Sequence, residues 1–326
     1  MKFLRFLVTL ILVLVLLLLG AVYAVPFFET PDDSPAAGSA DWMARLPDEV
    51  PLAQVMLPGT HDSATRYVQF GAFFRCQSLS ISGQLEAGFR YLDLRVNDKM
   101  QLVHNFAACR TGMLPWDSRL KLSSVLQECA LFLAQHPTEC VVIAVKMEGG
   151  SADIASFQYA LDAELRGVAS SFLPADTLPT VGAARGRIVL MRRYADAAKL
   201  GARAGIPLLW DDQGGQPPFA RSAPYIDSEK SDYPLRVQDR YEYSIDVKWN
   251  AFANTPPGEG LTLNFLSTKG PQFVGHPYLT AYHLNATMLQ FGLKYQTEGG
   301  TEWIITDFGT PALARRIWQA NPALRD

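Results

Sequence analysis

Nucleotide-binding signatures are missing from this chain. Neither GxGxxG nor GxxxxGK(S/T) occurs anywhere in its 326 residues, which argues against dinucleotide and P-loop chemistry. There is no basic tract and no interleaving of basic and aromatic residues, and the net charge is only -3, so nucleic acid is not an expected partner. No CxxC or Cys/His metal spacing is present among the 4 cysteines, which removes the usual structural zinc frameworks. Repeats at solenoid periods are also absent, leaving an ordinary globular architecture with no stacked array.

What is present is a chain with 48% hydrophobic residues, enough for a sizeable core. Its start differs from the rest. Lys2 and Arg5 precede an uncharged run from Phe6 to Phe28. The basic end should remain cytoplasmic and the remainder should be exported. Val22-Tyr23-Ala24 offers a cleavage site, yet the run is also long enough to span a bilayer uncleaved, so residues 1–28 read as a signal peptide or a membrane anchor. Either way the rest of the protein lies outside the cytoplasm, secreted or anchored by residues 6–28. Residues 29–45, opening with ETPDDSPAAGSA, read as a linker, and 46–326 as a single catalytic domain. In an exported chain Cys76, Cys109, Cys129 and Cys140 could form two disulfides; Cys76–Cys109 with Cys129–Cys140 is the most local pairing, and four buried thiols is the alternative.

From residue 41 onward, strand-like and helix-like segments alternate, the pattern of βα units and a mainly parallel sheet. In AQVMLPGTHD, 53–62, a short apolar strand is expected to stop at Pro58-Gly59 and deliver His61 and Asp62 on a turn. FRYLDLRV, 89–96, places Leu92, Leu94 and Val96 on one face and Tyr91, Asp93 and Arg95 on the other. MQLVHNF reads as a third strand carrying His104 at its end. The nearly continuous apolar run CVVIAVKM implies a strand covered on both faces and closing in Lys146. RIVLMRRY closes in Arg192 and Arg193, PLLW at 207–210 suggests a short sixth strand, and LTLNFLS and EWIITDF supply two more, the last carrying Asp307. Helices are expected near 122–135, 153–166, 235–252, 276–296 and 310–320. The count fits a distorted (β/α)8 TIM-type barrel better than a doubly wound sheet, with helices missing after the second and third strands. In such a barrel the site forms at the carboxyl ends of the strands, where His61, Asp93, Arg95, His104, Lys146, Arg193 and Asp307 all fall.

Two histidines, a carboxylate able to orient one of them, and an arginine suit phosphoryl transfer by acid–base catalysis. The guanidinium would meet the phosphate oxygens as charge builds. No cluster of carboxylates is visible at these strand ends, so no Mg²⁺ or Ca²⁺ site and no other cofactor is expected.

LPGTHDSAT, AGFRYLDLRV, LVHNF, FLAQHPTECVVIAVK, RGRIVLMRRY, VQDRY, LTLNFLS and WIITDFG occur in the order found in the bacterial phosphatidylinositol-specific phospholipase C family, and residues 46–322 resemble its secreted, metal-independent branch. The resemblance implies an irregular TIM-type barrel that cleaves phosphatidylinositol, or its glycosylated derivative, to diacylglycerol and a cyclic inositol phosphate. It also implies His61 as general base on the inositol 2-hydroxyl, Asp307 as the group orienting it, and His104 as general acid assisted by Asp62. Arg95, beside Asp93, would stand in place of the catalytic calcium of eukaryotic relatives, and Lys146, Arg193, Asp239 and Tyr241 would contact the inositol ring. One departure is Asn105 after His104, where the family usually has glycine; the cysteines and the apolar N-terminus are others. The implied partners are an inositol phospholipid and a membrane surface, met by a monomer, with Tyr67, Phe70, Phe73 and Phe74 dipping into the interface. A metal-dependent glycerophosphodiester phosphodiesterase-like barrel and a catalytically silent inositol-lipid binder are the competing expectations.

Overall fold

The computed structural model describes residues 1–28, 35, 37–150, 153–194, 205–211, 213, 225–228, 231, 233–271, 275–292 and 301–324. Residues 29–34 and 36 of the expected linker, and 293–296 of an expected helix, lie outside these. The first helix, Lys2–Phe28, is long and apolar enough to cross a bilayer, and over Lys2–Leu19 none of it is buried in the protein.

The main sheet contains β1 (Leu57–Thr60), β2 (Tyr91–Val96), β5 (Cys140–Met147), β6 (Phe172–Leu173), β7 (Arg187–Arg192), β8 (Ile206–Pro207), β9 (Ile226–Ser228), β10 (Leu235–Gln238), β11 (Leu261–Phe265) and β12 (Trp303–Thr306). Its order is β6-β7-β5-β2-β1-β12-β11-β10-β9, with β8 also on β7. All pairs are parallel except β9 with β10. The two ends of this curled sheet are bridged by side chains. Tyr233 donates from its hydroxyl to Pro207 O at 2.8 Å, and Ser228 does so to Leu209 O at 2.6 Å. That bridging is the distortion of the barrel in physical terms: one seam held by hydroxyl groups where a regular barrel has a ladder.

Alternation does the rest. Tyr91, Val142, Ala144, Val189, Met191, Val237, Leu263, Trp303 and Ile305 point inward into one buried cluster. Leu92, Leu94, Ile143, Val145 and Leu190 point outward against helices Leu122–Gln135 and Ile154–Arg166. Ile304 and Leu266 meet the helices Ile245–Ala253, Pro277–Phe291 and Pro311–Trp318. The continuous apolar run of β5 follows from this double covering.

Several expectations need correction. The first strand does not stop at Pro58-Gly59; it runs through both to Thr60. Proline is tolerated because β2 pairs only from Gly59↔Tyr91 onward, so no ladder donor is lost. Glycine is needed because a Cβ at residue 59 would lie 2.9 Å from the Tyr91 ring. MQLVHNF is not a barrel strand: β3 (Val103–His104) pairs only with β4 (Ala107–Ala108), as a separate hairpin. Residues 235–238 are strand, and the helix expected there begins at Ile245. The strand in PLLW shrinks to Ile206–Pro207. All four cysteines are free and buried, so neither disulfide forms. Trp42–Arg45 belongs with the barrel floor: Trp42 and Met43 are fully buried, and the Trp42 indole N–H donates to Gly88 O at 2.9 Å.

Arg90 holds that floor together. Fully buried, it pairs with Glu139 (2.8 Å) and donates to the carbonyls of Leu85 at 2.6 Å and Ala40 at 2.7 Å. Removing one partner of a buried ion pair costs about 3–5 kcal/mol. Arg90→Ala should therefore lower the free energy of unfolding by about that amount in a denaturant titration, and a loss below about 1 kcal/mol would contradict the assignment.

Candidate active site

Most of the expected residues take the next in-facing positions at or just past the carboxyl end of a strand: Leu57-Gly59-His61 on β1, Tyr91-Asp93-Arg95 on β2, Val142-Ala144-Lys146 on β5, Val189-Met191-Arg193 after β7, Val237-Asp239 after β10 and Ile305-Asp307 after β12; Asp62 follows His61 on the turn after β1, Tyr241 lies in the loop after β10, and His104 comes from elsewhere. Period-two alternation thus converts a layer of apolar core into a layer of charge at one rim.

His61 sits at the centre. Its Nδ1 lies 2.8 Å from Asp307 Oδ1, and its Nε2 lies 2.7 Å from Arg95 Nη2. A guanidinium only donates, so Nε2 must carry a lone pair while Nδ1–H donates to Asp307. This is the tautomer of a base ready to accept a proton at Nε2. Burial alone would push the His61 pKa down, but Asp307 and Asp62 raise it to about 9. The two observations describe two states. The neutral ring accepts from Arg95, whereas the imidazolium would turn its Nε2–H to Asp62 Oδ2, 3.2 Å away, and release Arg95. Because Asp307 is a principal cause of the upward shift, Asp307→Asn should move the acid limb of the pH–kcat/KM profile to lower pH while reducing turnover. An unmoved limb would contradict the pairing.

Arg95 gathers carboxylates that are far apart in sequence. Its Nε is 2.9 Å from Asp62 Oδ1, its Nη2 3.5 Å from Asp93 Oδ2, and its Nη1 3.2 Å from Glu148 Oε2. The expectation that no carboxylate cluster exists here is thus overturned: three acids converge, with a guanidinium at their centre. Burial would raise the Asp93 pKa, but Arg95 and Arg193 hold it well below the usual carboxylate range. Asp62, fully enclosed, is shifted up because burial outweighs its cations. Its backbone is left-handed (φ 44°), a conformation Asp tolerates better than most residues.

His104 comes from the β3–β4 hairpin. Its Nδ1 lies 2.7 Å from Phe74 O and its Nε2 3.4 Å from Asp62 Oδ2. With Nδ1–H on the carbonyl, a second proton at Nε2 faces Asp62, as a general acid requires. The imidazoles are 6.3 Å apart between centroids, room for a group between them. Asn105 occupies the left-handed region (φ 56°) that glycine favours and Asn also enters, so the hairpin turn accommodates the change. Its N–H donates to Glu148 Oε1 at 2.6 Å.

On the other side, Arg193 Nη1 lies 3.3 Å from Asp93 Oδ1 and its Nη2 3.7 Å from Asp239 Oδ2. The guanidinium lies over the Trp210 ring, 3.7 Å from its centroid, and Trp210 Nε1 donates to Asp239 at 3.2 Å. Lys146, partly exposed, lies 3.7 Å from Glu148; burial and then Arg95 and Arg193 lower its pKa. Tyr241 is held through its backbone carbonyl, which accepts from Lys269 N at 2.8 Å. A cavity of about 690 Å³ near Tyr233, Arg236 and Glu259 lies at the opposite end of the strands and holds none of these groups.

Sequence reasoning missed Glu148, Trp210 and Gln77. Glu148 lies two residues past Lys146, and Trp210 closes an apolar run, so both carried a faint signal. Gln77 had none. It donates to His61 O and Thr306 O, both at 2.8 Å, and accepts from Gly309 N at 3.1 Å, stitching the ends of β1 and β12 so that His61 and Asp307 meet.

The PI-PLC X family profile matches residues 51–181. A 1-phosphatidylinositol phosphodiesterase of Listeria monocytogenes is 27% identical over 303 residues, covering 86% of this chain and 84% of that protein. The solved Listeria phosphatidylinositol-specific phospholipase C superposes with a TM-score of 0.66 at 23% identity, over 87% of this chain and 98% of that one. A Staphylococcus aureus phosphatidylinositol-specific phospholipase C, solved in connection with modulation of its membrane binding, superposes with a TM-score of 0.67 at 20% identity, over 87% of this chain and 97% of that one.

Proposed function

On the premise that the chain belongs to the phosphatidylinositol-specific phospholipase C family, we propose that it cleaves the phosphodiester of phosphatidylinositol, or of a glycosylated derivative, by proton transfer between His61 and His104 with Arg95 in the place of a metal ion. The observation that carries this reading is the convergence of both imidazoles and the guanidinium on one rim, with His61 Nε2 2.7 Å from Arg95. His61 takes the proton of the inositol 2-hydroxyl, which attacks phosphorus. Asp307, on Nδ1–H, holds the ring and compensates the imidazolium. Arg95 turns its donors to the non-bridging oxygens as negative charge grows. His104 gives its Nε2 proton to the departing diacylglycerol oxygen, with Asp62 holding that proton in line. The products are diacylglycerol and inositol 1,2-cyclic phosphate. Asp93 fixes Arg95, while Arg193, Asp239, Tyr241 and Lys146 form the polar wall suited to a polyhydroxylated ring, and Trp210 stiffens it. Release of diacylglycerol from phosphatidylinositol vesicles but not from phosphatidylcholine vesicles tests the assignment; equal release from both would defeat it.

The membrane surface is the second partner. Of the aromatics expected at the rim, Phe70 and Phe73 are exposed, whereas Phe74 packs edge-on against His104, 5.4 Å between centroids. The turn of the hairpin beyond His104 adds Phe106 (69% exposed), which packs against Phe70 and Phe74, and the next loop, closed by the Arg110–Arg119 bridge, presents Trp116 (78% exposed). Exposed aromatics of this kind suit the wet–dry boundary of a bilayer. Phe106→Ala/Trp116→Ala should weaken vesicle sedimentation severalfold without lowering Tm; unchanged sedimentation would remove this face. The apolar helix Lys2–Phe28 supports export, with the catalytic domain, 46–326 together with its floor, outside the cytoplasm as a monomer.

A further inference from the structure

Helix Ile245–Ala253 is oriented against its own composition. Its lysine, Lys248, is fully buried on the face it shares with Ala251 and Phe252, while Val247 is 43% exposed. Ordinary amphipathic patterning would put the charge outside and the valine inside. Burial pushes the Lys248 pKa down to about 7, against the pull of Asp239 and Asp307, so the ammonium sits where its charge is poorly solvated. Among the described residues it has no carboxylate in ion-pair contact. Its Nζ donates instead to Gln238 Oε1 at 2.9 Å and to Arg240 O at 2.7 Å. A position that breaks the local pattern in this way is expected where function, and not stability, dictates the residue.

The two acceptors flank Asp239. Strand β10 ends at Gln238, and beyond it no ladder partner serves the Arg240 carbonyl, which must find a donor elsewhere. An ammonium offers donors only, which fixes the Gln238 amide: its oxygen faces Nζ, and its nitrogen donates to Asn264 Oδ1 at 2.9 Å and Phe265 O at 2.8 Å. The Asn264 nitrogen in turn donates to Glu302 Oε2 at 2.8 Å and Phe252 O at 3.0 Å. A one-way chain of hydrogen bonds thus runs from a buried ammonium to a buried carboxylate, anchored in β11 and at the start of β12. With every donor pointing one way, the end of β10 has a single arrangement. We infer that Lys248 is a positioning residue of the head-group wall: by tying the Gln238 side chain to the Arg240 carbonyl, it sets the direction in which Asp239 and Tyr241 meet the inositol ring. It touches no reacting atom, and its role rests on the wall assigned above to Asp239 and Tyr241. A methionine would fill the same space and satisfy neither acceptor, so packing alone gives no reason for an ammonium here.

The test uses the full-length protein and two readouts, turnover of phosphatidylinositol vesicles and competition by myo-inositol. Lys248→Met should raise KM and the inhibition constant of myo-inositol at least about tenfold, the worth of one or two hydrogen bonds to a bound ring, while kcat stays within about threefold. Lys248→Gln, shorter but still a donor, should regain part of the loss, and it carries the same readout should the methionine variant not fold. In a background lacking the wall, Asp239→Ala/Tyr241→Ala, the inhibition constant should already be high and Lys248→Met should add less than about twofold, because it acts through those residues. An inhibition constant unchanged in Lys248→Met, or in Lys248→Gln where only that variant folds, overturns the inference. A loss confined to kcat, or one that adds in full to that of the wall variant, overturns it as well. If the wall variant itself binds myo-inositol as tightly as the unmodified protein, the wall assignment falls first and the role of Lys248 falls with it.

Discussion

Replacing His61 with alanine should reduce turnover of phosphatidylinositol by about 10²–10⁴-fold or more, the usual worth of a positioned acid–base group, while leaving Tm nearly unchanged. The ring makes its close contacts through its nitrogens, to Asp307, Arg95 and Asp62, and packs edge-on against Phe265 and His104, 6.2 Å and 6.3 Å between centroids. Its loss removes chemistry more than core. The β1 end remains fixed, because Gln77 binds the backbone carbonyl of His61 and not its side chain. His104→Ala should show a comparable loss that shrinks when the natural alkoxide is replaced by a good leaving group, since such a substrate needs no proton on departure. If both variants lose equally on both substrates, the division of base and acid between the rings is wrong.

Arg95→Ala should lower kcat by about 10²–10³-fold, the range found for a single donor to a developing oxyanion, and change KM far less, because the contact strengthens as charge builds. A lysine would keep the charge but not the planar fork that meets Asp62, Asp93 and Glu148 from three nitrogens, so Arg95→Lys should recover only part of the rate. The same substitution carries a pH signature in stability. Burial would raise the Asp93 pKa, but Arg95 and Arg193 depress it. The stability it contributes is therefore present above its unfolded pKa of about 4 and lost as pH falls toward its folded value. Arg95→Ala should accordingly be less stable than the unmodified protein at neutral pH, with the gap narrowing in acid. A gap independent of pH would mean that Arg95 acts on the fold by packing alone.

The rim was legible in the sequence because alternation is local. Once CVVIAVKM or FRYLDLRV reads as a strand, the direction of Lys146, Asp93 and Arg95 follows from parity. Asp307 and His61 were legible for the same reason, although the strand carrying His61 extends past the Pro58-Gly59 pair, where turn chemistry gave way to the close approach of Tyr91. His104 was right in place and wrong in support, since two-residue strands in a detached hairpin carry no periodicity to distinguish them from a barrel strand. The LRVQ strand was hidden because four residues satisfy helical and extended patterns equally. Nothing local tells that Gln77 bridges two strand ends, or that Cys76 sits beside His104. Those facts depend on how residues 65, 76 and 308 meet, through Cys76 N to Thr65 Oγ1 and Phe308 N to Cys76 O. The carboxylates around Arg95 escaped notice because Asp62, Asp93 and Glu148 sit on three separate segments.

The central claim is that two imidazoles and a guanidinium cleave the phosphodiester through an internal hydroxyl, with no ion required. Phosphorus NMR of phosphatidylinositol incubated with the protein after exhaustive chelation tests it most directly. The account predicts an undiminished rate and inositol 1,2-cyclic phosphate as the first water-soluble product. Activity abolished by chelation and restored by calcium, or an acyclic inositol phosphate formed first with no cyclic precursor, would contradict it.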